Sequence, residues 1–189
     1  AAPAPCPPST AASSANGSPL IVENPQNAEA SAQATACEAM VTWTEPTATY
    51  KCAPAPTPSY AVTENCTANG LLRGGNWPVG VYLVTYSATD ANSNAATDTT
   101  FTVTVTDNVA PEIVDTPQNS EAFASATACE AMVTWTEPTA TDNCAPAPTP
   151  SYAVTENGTA NGLLRGGNWP GGVYLVTYSA TDANSNAAT

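Results

Sequence analysis

The chain has 189 residues, with 16 acidic side chains against three basic ones and a net charge of −13 at neutral pH. Such a polyanion is repelled by nucleic-acid phosphates and by anionic membrane surfaces, which argues against both as partners. Six cysteines without a single histidine leave no Ser-His-Asp or Cys-His arrangement and little room for zinc. They read instead as disulfides made in an oxidising compartment, so the chain is expected to be extracellular, secreted or held at a cell surface.

The first 18 residues, AAPAPCPPSTAASSANGS, form a Pro/Ala/Ser-rich arm. The arm lacks alternation, and its prolines cannot donate ladder hydrogen bonds, so it makes a poor strand. No basic-then-apolar leader stands before it, and Ala1 reads as a processed or trimmed start. No run of 18 apolar residues follows that could form a membrane-spanning helix.

From Pro19 the chain enters a unit that it writes twice. Residues 19–97 align without gaps with residues 111–189, a period of 92, and ten of the 79 positions differ. That period is too long for a solenoid and suits a whole β-sandwich of roughly 100 residues. Within the first copy Ala39, Val41 and Trp43 alternate with Met40, Thr42 and Thr44. Tyr60 and Val62 alternate with Ala61 and Thr63, and Val84, Tyr86 and Ala88 alternate with Thr85, Ser87 and Thr89. Phe101, Val103 and Val105 alternate with threonines. Period two marks half-buried strands. Pro46, CAPAPTP, NGLLRGGNWPVG and DANSN break the chain between them. No segment carries a helical stripe, and the fold class is all-β: two tandem immunoglobulin-like β-sandwich domains, residues 19–110 and 111–189.

The second copy has no counterpart here of Asp98–Ala110, the segment that holds Phe101, Val103 and Val105. Burying three such side chains contributes roughly 5–9 kcal/mol, against about 5–15 kcal/mol for a whole domain. Domain 2 is therefore expected to be incomplete, its last strand supplied by a continuation of the chain or by a neighbouring chain through β-augmentation. Leu20–Val22 extended backwards is the best donor within this sequence.

CEAMVTWTEPTATDNC (129–144), GGVYLVTYSATDANSN (171–186) and the junction VTDNVAPEI (105–113) together resemble the hyalin repeat, or HYR, family. The resemblance spans each copy nearly end to end. It implies an extracellular immunoglobulin-like domain found in tandem, associated with adhesion and surface architecture, with no catalytic residues. The chain departs from the family's pattern at Tyr50-Lys51, where Asp-Asn is usual, and at Asp98 or Thr99, where many members carry another cysteine.

Repetition of a local pair predicts two intradomain bridges, Cys37–Cys52 and Cys129–Cys144, each closing a loop of about 15 residues. Cys6 and Cys66 remain, both outside the repeated set, and are expected to bond to each other within one chain or between two.

Sequons stand at Asn16, Asn65 and Asn157, and the arm is suited to O-linked sugars. Asp142, Asn143, Asp182 and Asp107 are the calcium candidates, set against ordinary turn chemistry. No other cofactor is expected. Trp77 and Trp169 could stack on a sugar, though a Trp beside Pro at a strand entry is more often a core plug. Glu64 and Glu156 read as solvated faces, and Arg73 and Arg165 as turn anchors.

The sequence thus points to a non-enzymatic extracellular structural protein. Its modules form a rod or filament subunit whose partners are copies of itself, meeting head to tail. The alternative is a cell-surface adhesin repeat that binds glycan or protein ligands.

Overall fold

The structure, a computed structural model, describes residues 17–51, 54–65 and 67–188. Cys6, Asn16, Cys52 and Cys66, with the expectations placed on them, lie outside the described residues. The regular elements are all strands, and none of the described residues forms a helix long and apolar enough to cross a membrane. The fold is all-β and immunoglobulin-like.

The chain divides into two compact units. The first comprises the described residues up to Ala32 together with Glu38–Thr106; the second comprises Gln33–Cys37 and the chain from Asp107 onward.

In the first unit the strands are β1 (Leu20–Val22), β2 (Ala28–Ser31), β3 (Glu38–Met40), β4 (Thr47–Thr49), β5 (Ser59–Glu64), β6 (Thr67–Ala68), β7 (Asn76–Pro78), β8 (Gly80–Ser87) and β9 (Thr99–Thr106). One sheet runs β2-β9-β8-β5-β6, and the pairs β1-β4 and β3-β7 supply the facing layer. β2 lies parallel to β9, while β8 runs antiparallel to both β5 and β9.

The inward positions are those that the alternation marks. Val62, Val84, Tyr82, Tyr86, Phe101, Val103 and Val105 come from the large sheet, and Ile21, Ala39, Val41 and Trp77 meet them from the other layer. The outward positions of β9 are threonines, whose branched side chains suit a pleated surface. Trp43 stands edge-on to Tyr60, Trp77 and Phe101, with ring centroids 5.3–5.8 Å apart. Its indole N–H donates to the Tyr86 hydroxyl at 2.7 Å, so the one polar atom of the ring is satisfied at the core's margin.

In the second unit the strands are β10 (Glu112–Val114), β11 (Glu130–Met132), β12 (Thr139–Thr141), β13 (Ser151–Glu156), β14 (Thr159–Ala160), β15 (Asn168–Pro170) and β16 (Tyr174–Ser179). They pair as β14-β13-β16, β10-β12 and β11-β15, with the same registers as their duplicates. Residues 120–123, the duplicate of β2, form no strand. The reason is visible in the first unit: β2 takes its ladder bonds from β9, and no described strand lies at the β9 position here. Phe123 stands 85% exposed, and its duplicate Ser31 is exposed as well.

The cysteines correct the expected pairing. Cys37 is bonded to Cys144, with Cα atoms 4.6 Å apart, and Cys129 is free and exposed. Neither Cys37–Cys52 nor Cys129–Cys144 forms. The cause is the placement of residues 33–37, which fold with the second unit and bring Cys37 to the turn that carries Cys144. Repetition along the sequence identified the cysteines but misassigned their partners.

Candidate functional site

β16 is the element whose surroundings depart most from those of its duplicate. In the first unit β8 is flanked on both sides, by β5 along one edge and by β9 along the other. Its inward residues Tyr82, Val84 and Tyr86 are at most 1% exposed. β16 pairs with β13 in the same register, Tyr174 opposite Glu156 through Ser179 opposite Ser151. Among the described residues no strand pairs with its other edge. Tyr174, Val176 and Tyr178 are only half-buried as a result. Leu175 rises to 64% exposure, against 43% for its duplicate Leu83.

β16 is also shorter. β8 begins at Gly80 because Gly80 and Val81 pair with Val105 and Thr104; without such partners the duplicate strand begins at Tyr174. The apolar interior shrinks with it. Among the described residues, the buried apolar side chains of the second unit are Cys144, Val154, Trp169 and Ala180, against more than a dozen in the first. An unpaired strand edge beside half-covered apolar side chains is a template for another strand.

The second feature is a polar knot inside the second unit. Asp107, 5% exposed, accepts hydrogen bonds from Val109 N (3.1 Å), Asn143 Nδ2 (3.2 Å) and Asn184 Nδ2 (3.0 Å). Its backbone carbonyl accepts from Asn186 Nδ2 at 3.1 Å. Asp182 caps its own loop through Asn184 N, Asn186 N and Asn186 Nδ2. Burial works against its ionisation, yet the bonds from Asn186, Asn184 and Ser185 outweigh it and hold the carboxyl below the usual range. Asp142 Oδ1 accepts from Cys144 N at 2.9 Å, while Asp142 Oδ2 and Asn143 Oδ1 are buried and find no partner among the described residues. Of the four residues singled out for calcium, Asp107, Asp142 and Asn143 come together, while Asp182 bonds only within its own loop, and most of the oxygens serve turns.

The first unit solves the corresponding loop differently. Asp90, 7% exposed, accepts from Asn92 N, Asn94 N and Asn94 Nδ2 at 2.8–2.9 Å. The Tyr50 hydroxyl, standing where copy two has Asp142, donates to the same carboxylate. Asn94 foremost, then Tyr50, lowers the Asp90 pKa to about 2.

The third feature is the 33–37 segment. Ala36 N donates to Gln33 O at 3.2 Å, closing a tight turn, and Gln33 O also accepts from Asn143 Nδ2 at 3.2 Å. Cys37 then reaches Cys144.

The profile of the HYR domain matches residues 17–105. Residues 17–105 are a HYR domain. No curated protein sequence matches the chain. HYR domains form a non-catalytic family of extracellular, adhesion-related repeats. Residues 111–189 repeat the HYR sequence with the ten differences noted above.

For the two tryptophans the core-plug reading holds, and the sugar-stacking alternative is corrected. Trp77 and Trp169 are 0% and 4% exposed, and their indole N–H groups donate to Leu72 O and Leu164 O. They are core plugs with no face left for a ligand. Arg73 and Arg165 anchor the neighbouring turns, as their placement suggests: Arg73 Nε meets Glu45 at 3.2 Å and Nη1 donates to Trp43 O, and Arg165 repeats this with Glu137 and Trp135 O.

Of the sequons, Asn65 and Asn157 are exposed with φ of 48° and 52°. Asn157-Gly158 closes the β13–β14 hairpin, and Gly158 at φ 80° supplies the second left-handed residue that such a two-residue turn requires. Glu64 and Glu156 sit partly buried at the ends of β5 and β13.

Sequence reasoning missed three things: the destination of Cys37, the Tyr50–Asp90 bond and the union of Asp107 with Asn143, Asn184 and Asn186. The repeated asparagines of DANSN were the one available signal for the last.

Proposed function

We propose that this chain is a non-enzymatic, secreted or surface-held structural protein whose HYR modules join head to tail into a rod or filament. The joint is a strand laid along β16. The observation that carries the reading is the contrast between β8 and β16: the same side chains are sealed by β9 in one copy and half-open in the other. A strand of the β9 type, with Phe and two Val on alternate residues, fits the vacant side. In the register of the first unit Phe101 lies opposite Val84 and Val103 opposite Tyr82. The corresponding acceptors are Val176 and Tyr174. Extended strand addition supplies main-chain hydrogen bonds for affinity and alternate side-chain pockets for specificity. Contacts that repeat without closing grow filaments. The adhesin alternative loses its tryptophan platform, since both rings are buried.

Negative-stain electron microscopy of the chain with and without a synthetic Asp98–Thr106 peptide tests this. Uniform fibres that stop growing when the peptide caps β16, but not when its Phe101 equivalent is replaced by Asp, are expected. Dispersed short rods, indifferent to the peptide, would overturn the assembly reading.

A further inference from the structure

Two loops of this chain are written almost alike, QATAC at 33–37 and SATAC at 125–129. They also fold alike. Ala36 N donates to Gln33 O in the first; in the second Ala128 N donates to Ser125 O at 3.3 Å and to Ser125 Oγ at 3.1 Å. Both turns hand the chain directly to a cysteine and then to a short strand beginning at Glu38 or Glu130.

Their fates differ. The first loop is held on the Asp-Asn-Cys turn of residues 142–144 by a hydrogen bond from Asn143 Nδ2 to Gln33 O and by the Cys37–Cys144 bond. That turn is itself braced, by Cys144 N to Asp142 Oδ1 and by Asn143 Nδ2 to Asp107 Oδ1. The loop contributes only a backbone carbonyl and a sulfur to this grip. Exchange of Gln33 for Ser125 leaves both intact. Cys129 nonetheless stands free and exposed.

We propose that loop 125–129 is a second staple: it docks on the Asp-Asn-Cys turn of another copy of this repeat, and Cys129 bonds to that turn's cysteine as Cys37 bonds to Cys144. The proposal rests on the head-to-tail reading and names what the joint holds. The partner is a repeat of the second type whose turn cysteine, unlike Cys144 here, is not already bonded to a Cys37. The first copy carries Tyr50-Lys51 before its cysteine, so it lacks the amide that grips the loop. Bond formation proceeds by exchange with a small-molecule disulfide. The Cys129 thiolate attacks glutathione disulfide and releases one glutathione. The partner's thiolate then attacks the Cys129 sulfur and releases a second. The two protons and two electrons lost by the protein thiols end on the two glutathiones.

The test uses the full chain as donor and a Cys37→Ser, Cys129→Ser double variant as acceptor, so that Cys144 is uncapped. Incubation in glutathione redox buffer should give a covalent heterodimer, with peptide mass spectrometry joining donor Cys129 to acceptor Cys144. Adding Asn143→Ala to the acceptor should lower the yield roughly fivefold, the worth of one hydrogen bond. In a second arm the chain is lengthened by another copy of residues 98–189. Cys129 should then bond to the new repeat's Asp-Asn-Cys cysteine, with Cys37–Cys144 retained, which covers the case of an acceptor that folds poorly. Recovery of Cys129 only as its glutathione adduct or as a Cys129–Cys129 dimer, in both arms, overturns the staple. Fibres seen with all thiols reduced would show that the strand joint survives its loss.

Discussion

Cys37 is bonded to Cys144, 107 residues further along the chain, while Cys129, its counterpart one period later, is exposed and unbonded. A cross-link that closes so long a loop removes much conformational freedom from the unfolded chain. Loss of such a native bridge typically costs about 2–5 kcal/mol. Cys37→Ser should therefore destabilise the second unit by roughly that amount. Urea melts with and without reductant check it: reductant should lower the wild-type midpoint by more than it lowers the variant's.

The unequal sealing of the copies should appear in paired substitutions. Val84 is fully buried and its duplicate Val176 only half-buried. Val84→Ala should cost about 2 kcal/mol through lost burial and a residual cavity. Val176→Ala should cost under about 1 kcal/mol, since solvent already reaches the site. Hydrogen exchange of β8 and β16 amides measures each copy separately. Equal losses would contradict the open-edge description.

Asp90 provides a pH signature. Its pKa in the folded chain is about 2, below the roughly 3.9 of a free Asp. Between those values the unfolded chain takes up the proton first, so stability falls as pH drops through this window and is fully present above it. Asp90→Asn removes the effect. The gap in melting temperature between wild type and variant should be constant above about pH 5 and narrow from about pH 4 to 2. A gap that ignores pH would sink the assignment.

Asp142 offers a gain. Its Oδ2 is buried and finds no partner among the described residues, while Oδ1 caps Cys144 N. Asp142→Asn keeps the cap and removes the charge from the unpartnered oxygen. It should raise the stability of the second unit by about 1 kcal/mol, readable as a higher melting temperature in chelator. A loss of stability on this change would mean that the carboxylate has a partner after all.

Much of the first unit was legible because its strands alternate with period two and bury one face. Phe101, Val103 and Val105 needed only the pleat to be placed inward, and Trp77 beside Pro78 read correctly as a plug. The half-open β16 was also foreseeable, since the repeat shows which inward residues its duplicate is packed against. The cysteine partners were not. Two local pairs 15 residues apart looked alike in both copies, and only the excursion of residues 33–37 decides that Cys37 meets Cys144. The Asp107 knot escaped for a similar reason: its members come from three separate stretches, and each alone is ordinary turn chemistry.

Among the described strands, β9 is the one beside which β2 lies in the sheet. The rim of the larger sheet is thus conditional, since melting β9 forfeits two strands and not one. Order at that border arrives or departs as a single cooperative step. Whatever lies along β16 therefore decides whether residues 120–123 have a ladder to join.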